Sequence, residues 1–124
     1  KDLATYMMMH MNYGELNGVR LISEENAKAM QTPVWIIKKD GDEQYGLCLR
    51  EFIDYIDDEK YNTPGSYPVG HTGGAYGLNS IMLWSPADGW GIVAMTNGYT
   101  SVKGKSFLKT LTNAIYNAAI KEEK

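Results

Sequence analysis

Leu3, Tyr6, Met7, His10 and Met11 recur three and four positions apart, the spacing of one face of an amphipathic helix. Asp2 stands where a carboxylate caps or complements the start of that helix. Tyr13-Gly14 ends it, and Asn17-Gly18 turns between short segments around Leu16 and Leu21-Ile22. Ser23 is a good N-cap for a second short helix, with Glu24 and Glu25 favourable in its first turn. Ala27 and Met30 are expected to face inward, and Pro33 stops the helix.

From Val34 the period changes to that of strands. Val34 to Ile37, Tyr45 to Leu49 and Phe52 to Ile56 read as strands, with Asp40-Gly41-Asp42 as a turn. Tyr61 to Ser66 reads as loop, carrying Pro64-Gly65. Strands are predicted over Tyr67 to Gly73, Leu78 to Trp84 and Gly91 to Thr96, and Ser85-Pro86-Ala87-Asp88-Gly89 supplies a tight connection between the last two. These three form an expected antiparallel meander. Val102, Phe107, Leu108, Leu111, Ala114, Ile115 and Ala118 then mark an amphipathic helix from about Ser101 to Ile120. The predicted class is α+β: an antiparallel sheet, the C-terminal helix on one face, and two short N-terminal helices beside it.

Length narrows this to a single domain over residues 1–124, with no internal repeat. An apolar fraction of 44% and a charged fraction of 22% are those of a globular protein. A net charge of −3 provides no basic footprint, so no nucleic-acid partner is expected. No apolar run reaches the ~18 residues of a membrane span, and no signal peptide opens the chain. The chain begins at Lys1 with a helix already under way, which suggests an engineered or proteolytic start.

Glu51, Asp54, Asp57, Asp58 and Glu59 read as a solvated face rather than a calcium loop, because the central Gly of such a loop is missing. The lone Cys48 permits no internal disulfide and, within Tyr45-Gly46-Leu47-Cys48-Leu49, reads as buried filler. His10 reads as a packed, hydrogen-bonded histidine, and the seven methionines as core and helix surface. No metal or cofactor is expected.

The chemistry concentrates in Gly70-His71-Thr72-Gly73-Gly74, which runs through Ala75-Tyr76-Gly77 into the next strand. Glycines let a ligand lie against the backbone, while His71 and Thr72 add a proton carrier and a hydroxyl on the same edge. The bland alternative is a strand end whose glycines serve only a tight bend. This segment resembles the His-Thr-Gly variant of the Lys-Thr-Gly signature of the penicillin-recognising serine hydrolases: class C β-lactamases, D-Ala-D-Ala peptidases and related esterases. The resemblance extends further. Asp2-Leu3-Ala4 through Met30-Gln31-Thr32-Pro33 is similar to the helix, Gly-Glu-Leu turn and Leu-Ile-Ser-Glu-Glu helix before the family's last motif. Tyr45-Gly46-Leu47 resembles its Tyr-Gly-Leu strand, and Ala94-Met95-Thr96-Asn97-Gly98 the Leu-Thr-Asn-Gly end of its final strand. Matches in this order imply the C-terminal portion of a β-lactamase-like fold.

Two family signatures have no matching copy. Ser106-Phe107-Leu108-Lys109 is a literal Ser-x-x-Lys, but it follows the His-Thr-Gly segment and falls on the stripe of the terminal helix. It is therefore read as a decoy. Tyr-x-Asn is absent, since Tyr76-Gly77-Leu78-Asn79 has one residue too many and Tyr61-Asn62 one too few. No catalytic residue is assigned to this chain.

What the resemblance implies for the remaining site is specific. Gly74 would supply one backbone N–H to an oxyanion and its carbonyl to a substrate amide, by strand addition beside Gly73. His71 would stand in the place of the family lysine, with a charge that is conditional near neutral pH. Thr72 would donate its hydroxyl to the same substrate carboxylate. Asn97 would line the pocket if the meander returns it to that edge; a turn leading into the last helix through Thr100-Ser101 is the alternative. The implied function is a piece of a β-lactamase-related hydrolase, inactive alone, whose partner is the missing N-terminal catalytic portion. A stand-alone peptide- or peptidoglycan-binding module and a self-associating homo-oligomer are the alternatives. The resemblance implies a periplasmic or extracytoplasmic setting.

Overall fold

The computed structural model describes residues 1–37, 43–98 and 106–121. Helix α1 (Asp2–Met11) leads through the two-residue strands β1 (Glu15–Leu16) and β2 (Val19–Arg20) to helix α2 (Glu24–Gln31). Ser23 caps α2, its Oγ accepting from Asn26 N–H at 3.2 Å. Strands β3 (Trp35–Ile37), β4 (Glu43–Tyr45), β5 (Arg50–Phe52), β6 (Val69–Ala75), β7 (Leu78–Trp84) and β8 (Gly91–Asn97) follow, and helix α3 (Phe107–Tyr116) runs into a π-helical turn over Asn117–Lys121. The class is α+β. The six longer strands form one antiparallel sheet in chain order, β3-β4-β5-β6-β7-β8.

Strand β7 explains why the sheet needs covering on both sides. Ile81 and Leu83 point to one face and Met82 and Trp84 to the other, and all four are buried. Ile81 and Leu83 join Ile92, Ala94, Leu108 and Tyr116 under α3. Met82 and Trp84 join Met7, Leu49 and Val69, with Leu3, Met11 and Met30 packed against them, under α1 and α2. The expected arrangement, a C-terminal helix on one sheet face and two short N-terminal helices beside the sheet, is the one found, with α1 and α3 on opposite faces.

Three expectations change. Tyr45 to Leu49 is not a strand, because pairing ends at Tyr45 and residues 46–48 bend away, with Cys48 exposed at φ +68°. Gly46 permits the bend, since a Cβ there would lie 2.3 Å from the Met30 carbonyl oxygen. Phe52 to Ile56 leaves the sheet after Phe52, and Asp54 at φ +49° turns Tyr55 and Ile56 onto the α3-side core. The acidic run is only partly a solvated face: Asp58 is half-buried and accepts from Tyr116 OH at 2.8 Å. Expectations for the Asp40-Gly41-Asp42 turn, for Thr100-Ser101 and for the start of the last helix fall outside the described residues.

Buried polar links pin the elements. Tyr61 OH donates to Asp88 Oδ2 at 2.6 Å and accepts from Trp90 Nε1 at 2.7 Å, tying the loop before β6 to the β7–β8 connection. Asn113 Oδ1 accepts from Asp57 N–H at 2.7 Å, and its Nδ2 donates to the Tyr55 carbonyl at 2.9 Å, holding α3 to the loop after β5. His10 is packed as expected, edge-on to Tyr6 and stacked on Trp84, but it is not hydrogen-bonded through its ring. Neither ring nitrogen has a partner among the described residues, and burial lowers its pKa. The hydrogen-bonding expectation is corrected accordingly. Its position on the apolar stripe puts the ring against Trp84 and away from any polar group that could reach it.

Candidate functional site

The site is built by a mismatch in strand length. Strand β6 pairs with β7 over all seven residues, from Val69↔Trp84 to Ala75↔Leu78. On its other flank it pairs with β5 only through Glu51↔Val69 and Arg50↔Gly70. Among the described residues, His71 to Ala75 therefore have no strand on the β5 side. Phe52 N–H donates to the Pro68 carbonyl at 2.8 Å, which fixes the even-numbered residues as those whose backbone groups point to that flank. The N–H and C=O of Thr72 and Gly74 consequently face the open flank, while those of His71 and Gly73 face β7.

Side chains alternate across the same strand. His71 and Gly73 share the α1 side of the sheet with Met82 and Ser80, and Thr72 and Gly74 share the α3 side with Ile81 and Asn79. A Cβ on Gly73 would meet Ser80 Oγ at 2.6 Å, whereas one on Gly74 would find its nearest contact, Asn79 Oδ1, at 3.7 Å. The His71 ring and the Thr72 hydroxyl thus flank the open edge from opposite faces. His71 is exposed, and its Nδ1 bonds the Thr72 carbonyl oxygen at 2.5 Å. A carbonyl only accepts, so Nδ1 carries the proton in this contact, and in the neutral ring Nε2 keeps its lone pair directed elsewhere.

Asn97 ends β8 opposite Leu78, which in turn lies opposite Ala75. It shares the α1 side with His71 and Gly73 but stands two strands away from β6, about 9–10 Å across the sheet. The meander brings it to the same end of the sheet, not to the Gly74 flank. Gly98, at φ +69°, donates to the Gly77 carbonyl at 3.0 Å and turns the chain out of β8.

Two residues near this edge, Tyr76 and Ser80, were given no site role from the sequence. Tyr76 and Gly77, at φ +51° and +85°, form a two-residue hairpin loop with both central residues left-handed, the type I′ geometry. Tyr76 is fully exposed there. Bulky residues seldom occupy a left-handed position, and such positions concentrate at functional sites. Ser80 is the second, half-buried and paired with Gly73. Only the Tyr-Gly dipeptide between alternating strands signalled the turn.

Ser106 and Lys109 sit apart from this edge. Ser106 is the N-cap of α3, its Oγ accepting from Lys109 N–H at 3.3 Å. Lys109 Nζ donates to the Asp54 carbonyl and lies 3.7 Å from Asp57 Oδ1. The serine hydroxyl satisfies a helix end, and the ammonium is turned to the loop after β5. Among the described residues no group of His, Cys, Asp and Glu side chains could hold a metal ion, and no helix is long and apolar enough to cross a membrane.

No family model matches the chain. No curated protein matches it. Its fold is similar to that of a D-stereospecific amidohydrolase from Streptomyces sp., with a TM-score of 0.55 and 24% sequence identity. That match covers 77% of this chain and 24% of the other, so the chain spans about a quarter of that structure's length. The likeness is one of fold: the antiparallel sheet and its C-terminal helix form part of a transpeptidase-like architecture.

Proposed function

We propose that this chain supplies the substrate-binding strand of a β-lactamase-related serine hydrolase. Its substrate would be a β-lactam, a D-Ala-D-Ala peptide or an ester, and the nucleophile and its base would lie on chain outside these 124 residues. The observation that carries the reading is the open flank of β6, where Gly74 presents an N–H and a C=O with no strand opposite among the described residues. A tetrahedral acyl-transfer intermediate needs two N–H donors aimed at its oxyanion. Gly74 would give one, and the N–H of an incoming serine the other. The Gly74 carbonyl would accept from the substrate amide as the substrate adds to the sheet edge. His71, its Nδ1 proton held by the Thr72 carbonyl, would turn Nε2 to the leaving group or the substrate carboxylate. Thr72 and Asn97 would reach only a ligand that extends around or along the edge.

Alone, the chain would be inactive, because removing the nucleophile leaves only the residual acceleration of binding and oxyanion contacts. A fluorescent penicillin should leave no covalent label, and a chromogenic cephalosporin should not turn over. Titration with an acyl-D-Ala-D-Ala peptide should shift the amide resonances of Thr72 and Gly74 and spare those of His71 and Gly73. A covalent adduct on Ser106, or peptide-induced shifts confined to other elements, would overturn the reading.

A second reading, a stand-alone peptide-binding module, is favoured by one observation: both sheet faces are closed by the chain's own helices over separate buried cores. The gene sequence preceding Lys1 separates the two. Ser-x-x-Lys and Tyr-x-Asn encoded there select the hydrolase, and their absence selects the module.

A further inference from the structure

A cavity of about 530 Å³ lies between the C-terminal end of α2 and the α1-side face of β4, β5 and β6. Its volume is within the range of about 300–1,000 Å³ occupied by small-molecule sites. Pro33, Pro64 and Pro86 line it together with Tyr13 and Tyr67, so much of its wall is apolar and conformationally stiff. Three of its polar side chains are already engaged, among them Thr32, whose Oγ1 donates to the Lys28 carbonyl at 2.9 Å. Gln31 donates from Nε2 to the His10 carbonyl and accepts at Oε1 from Trp84 Nε1. The Lys28 ammonium pairs with Glu24 one helical turn earlier and sits 5.2 Å from the centre of the Tyr13 ring.

Glu51 is the one carboxylate among the lining residues. It is half-buried on β5, opposite Gln44 on one side and Val69 on the other, and all three line the cavity. Among the described residues its carboxylate has neither a hydrogen-bond donor nor a cation. Burial without such a partner raises its pKa above the usual carboxylate value. A carboxylate in this setting is destabilised until a donor or a cation meets it.

We propose that this cavity binds a primary ammonium group carried on an alkyl or peptide body, with Glu51 as its counter-ion. The ammonium has three N–H donors, enough for Glu51 and for the carboxamide oxygen of Gln44 beside it. Tyr67 offers ring surface that attracts a cation, and the prolines cover the methylene stem. An anionic ligand is the poorer fit, because the Lys28 charge is already met by Glu24 while that of Glu51 is not. The site is independent of the β6 flank and stands whether or not that flank serves acyl transfer.

The same chemistry could come from a lysine-type side chain or from the amino terminus of a peptide. Nα-acetyl-lysine methylamide carries only the first amine and Ala-Ala amide only the second, so titrating each while observing Gln44, Glu51 and Tyr67 by NMR tells the sources apart. At least one should bind at the cavity, at least tenfold more weakly in Glu51→Gln, while Nα-acetyl-glutamate methylamide leaves these resonances unmoved. Equal affinity in Glu51→Gln, binding of the glutamate analogue in place of the amines, or no shift at the cavity would overturn the proposal. Should the variant fail to fold, the unaltered chain provides the answer. Amine affinity must fall as pH is lowered through the titration of Glu51, where the ammonium stays charged; an affinity flat across that range overturns the proposal equally.

Discussion

The indole N–H of Trp84 donates to Gln31 Oε1 at 3.2 Å, and the other end of the same carboxamide donates to the His10 carbonyl at 2.9 Å. One buried side chain thereby ties β7, α2 and α1 together. Gln31→Leu keeps the volume close but strands a buried donor and a buried acceptor. Each orphaned group costs about 1–3 kcal/mol, so a total loss of about 3 kcal/mol is expected. Urea denaturation monitored by tryptophan fluorescence measures it, and an unchanged midpoint would refute it.

His10 makes stability depend on pH. Its folded-state pKa is lowered by burial, so between that value and the unfolded value of about 6.5 the unfolded chain binds the extra proton. The contribution is fully present above pH 6.5 and is lost as pH falls toward the folded value. The melting temperature should therefore drop from pH 7.5 to 5.5, and the drop should be smaller in His10→Phe. Comparing the two chains isolates His10 from Glu51, whose raised pKa acts with the opposite sign. Parallel profiles would show that the imidazole is not responsible.

Gly70 and Gly74 are four residues apart on one strand and should respond oppositely. A Cβ on Gly70 would lie only 1.9 Å from the Met82 carbonyl oxygen, a backbone atom that cannot step aside. Gly70→Ala should cost on the order of 3 kcal/mol, the upper range for overpacking. Gly74→Pro removes an N–H that has no strand partner among the described residues, at the kind of edge position where proline is tolerated. It should leave the circular dichroism spectrum intact and abolish the peptide-induced shift at Thr72. A destabilised Gly74→Pro would mean that the amide is engaged within the fold.

Association should follow from the sheet's ends. β8 is the last strand in the order, and among the described residues nothing pairs with its outer side. At the other end β3 exposes Trp35 and Ile36 beside Val34. Open, apolar edges recruit other chains. Light scattering should give a mass above that of the monomer that rises with concentration, and Trp35→Lys should lower it if β3 is the contact. A monomer mass throughout would favour the self-contained module.

Much of this architecture was legible because local signals agreed with burial. Ser23 caps α2, Pro86 to Gly89 turn between β7 and β8, and the apolar run that ends Leu78 to Trp84 is strand. The misreadings share one cause. Leu49 in the first run and Tyr55 and Ile56 in the second pack onto the core from loops, and a run of hydrophobic residues does not distinguish a strand from a packed loop. The left-handed Cys48 and Asp54 that break these runs carry no glycine to announce them. At the candidate site, the motif drew attention to His71 to Gly74, but the open flank beside them depends on where β5 stops pairing. That is set by tertiary packing and has no local signature.

The uneven pairing of β6 divides a single strand into two populations of amides. His71, Gly73 and Ala75 direct theirs into the β7 ladder, whereas Thr72 and Gly74 direct theirs outward. In deuterated solvent these neighbours would exchange on different clocks, slow and fast in strict alternation. A molecule laid along the strand would slow only the fast ones, so β6 reports its own occupancy one residue in two.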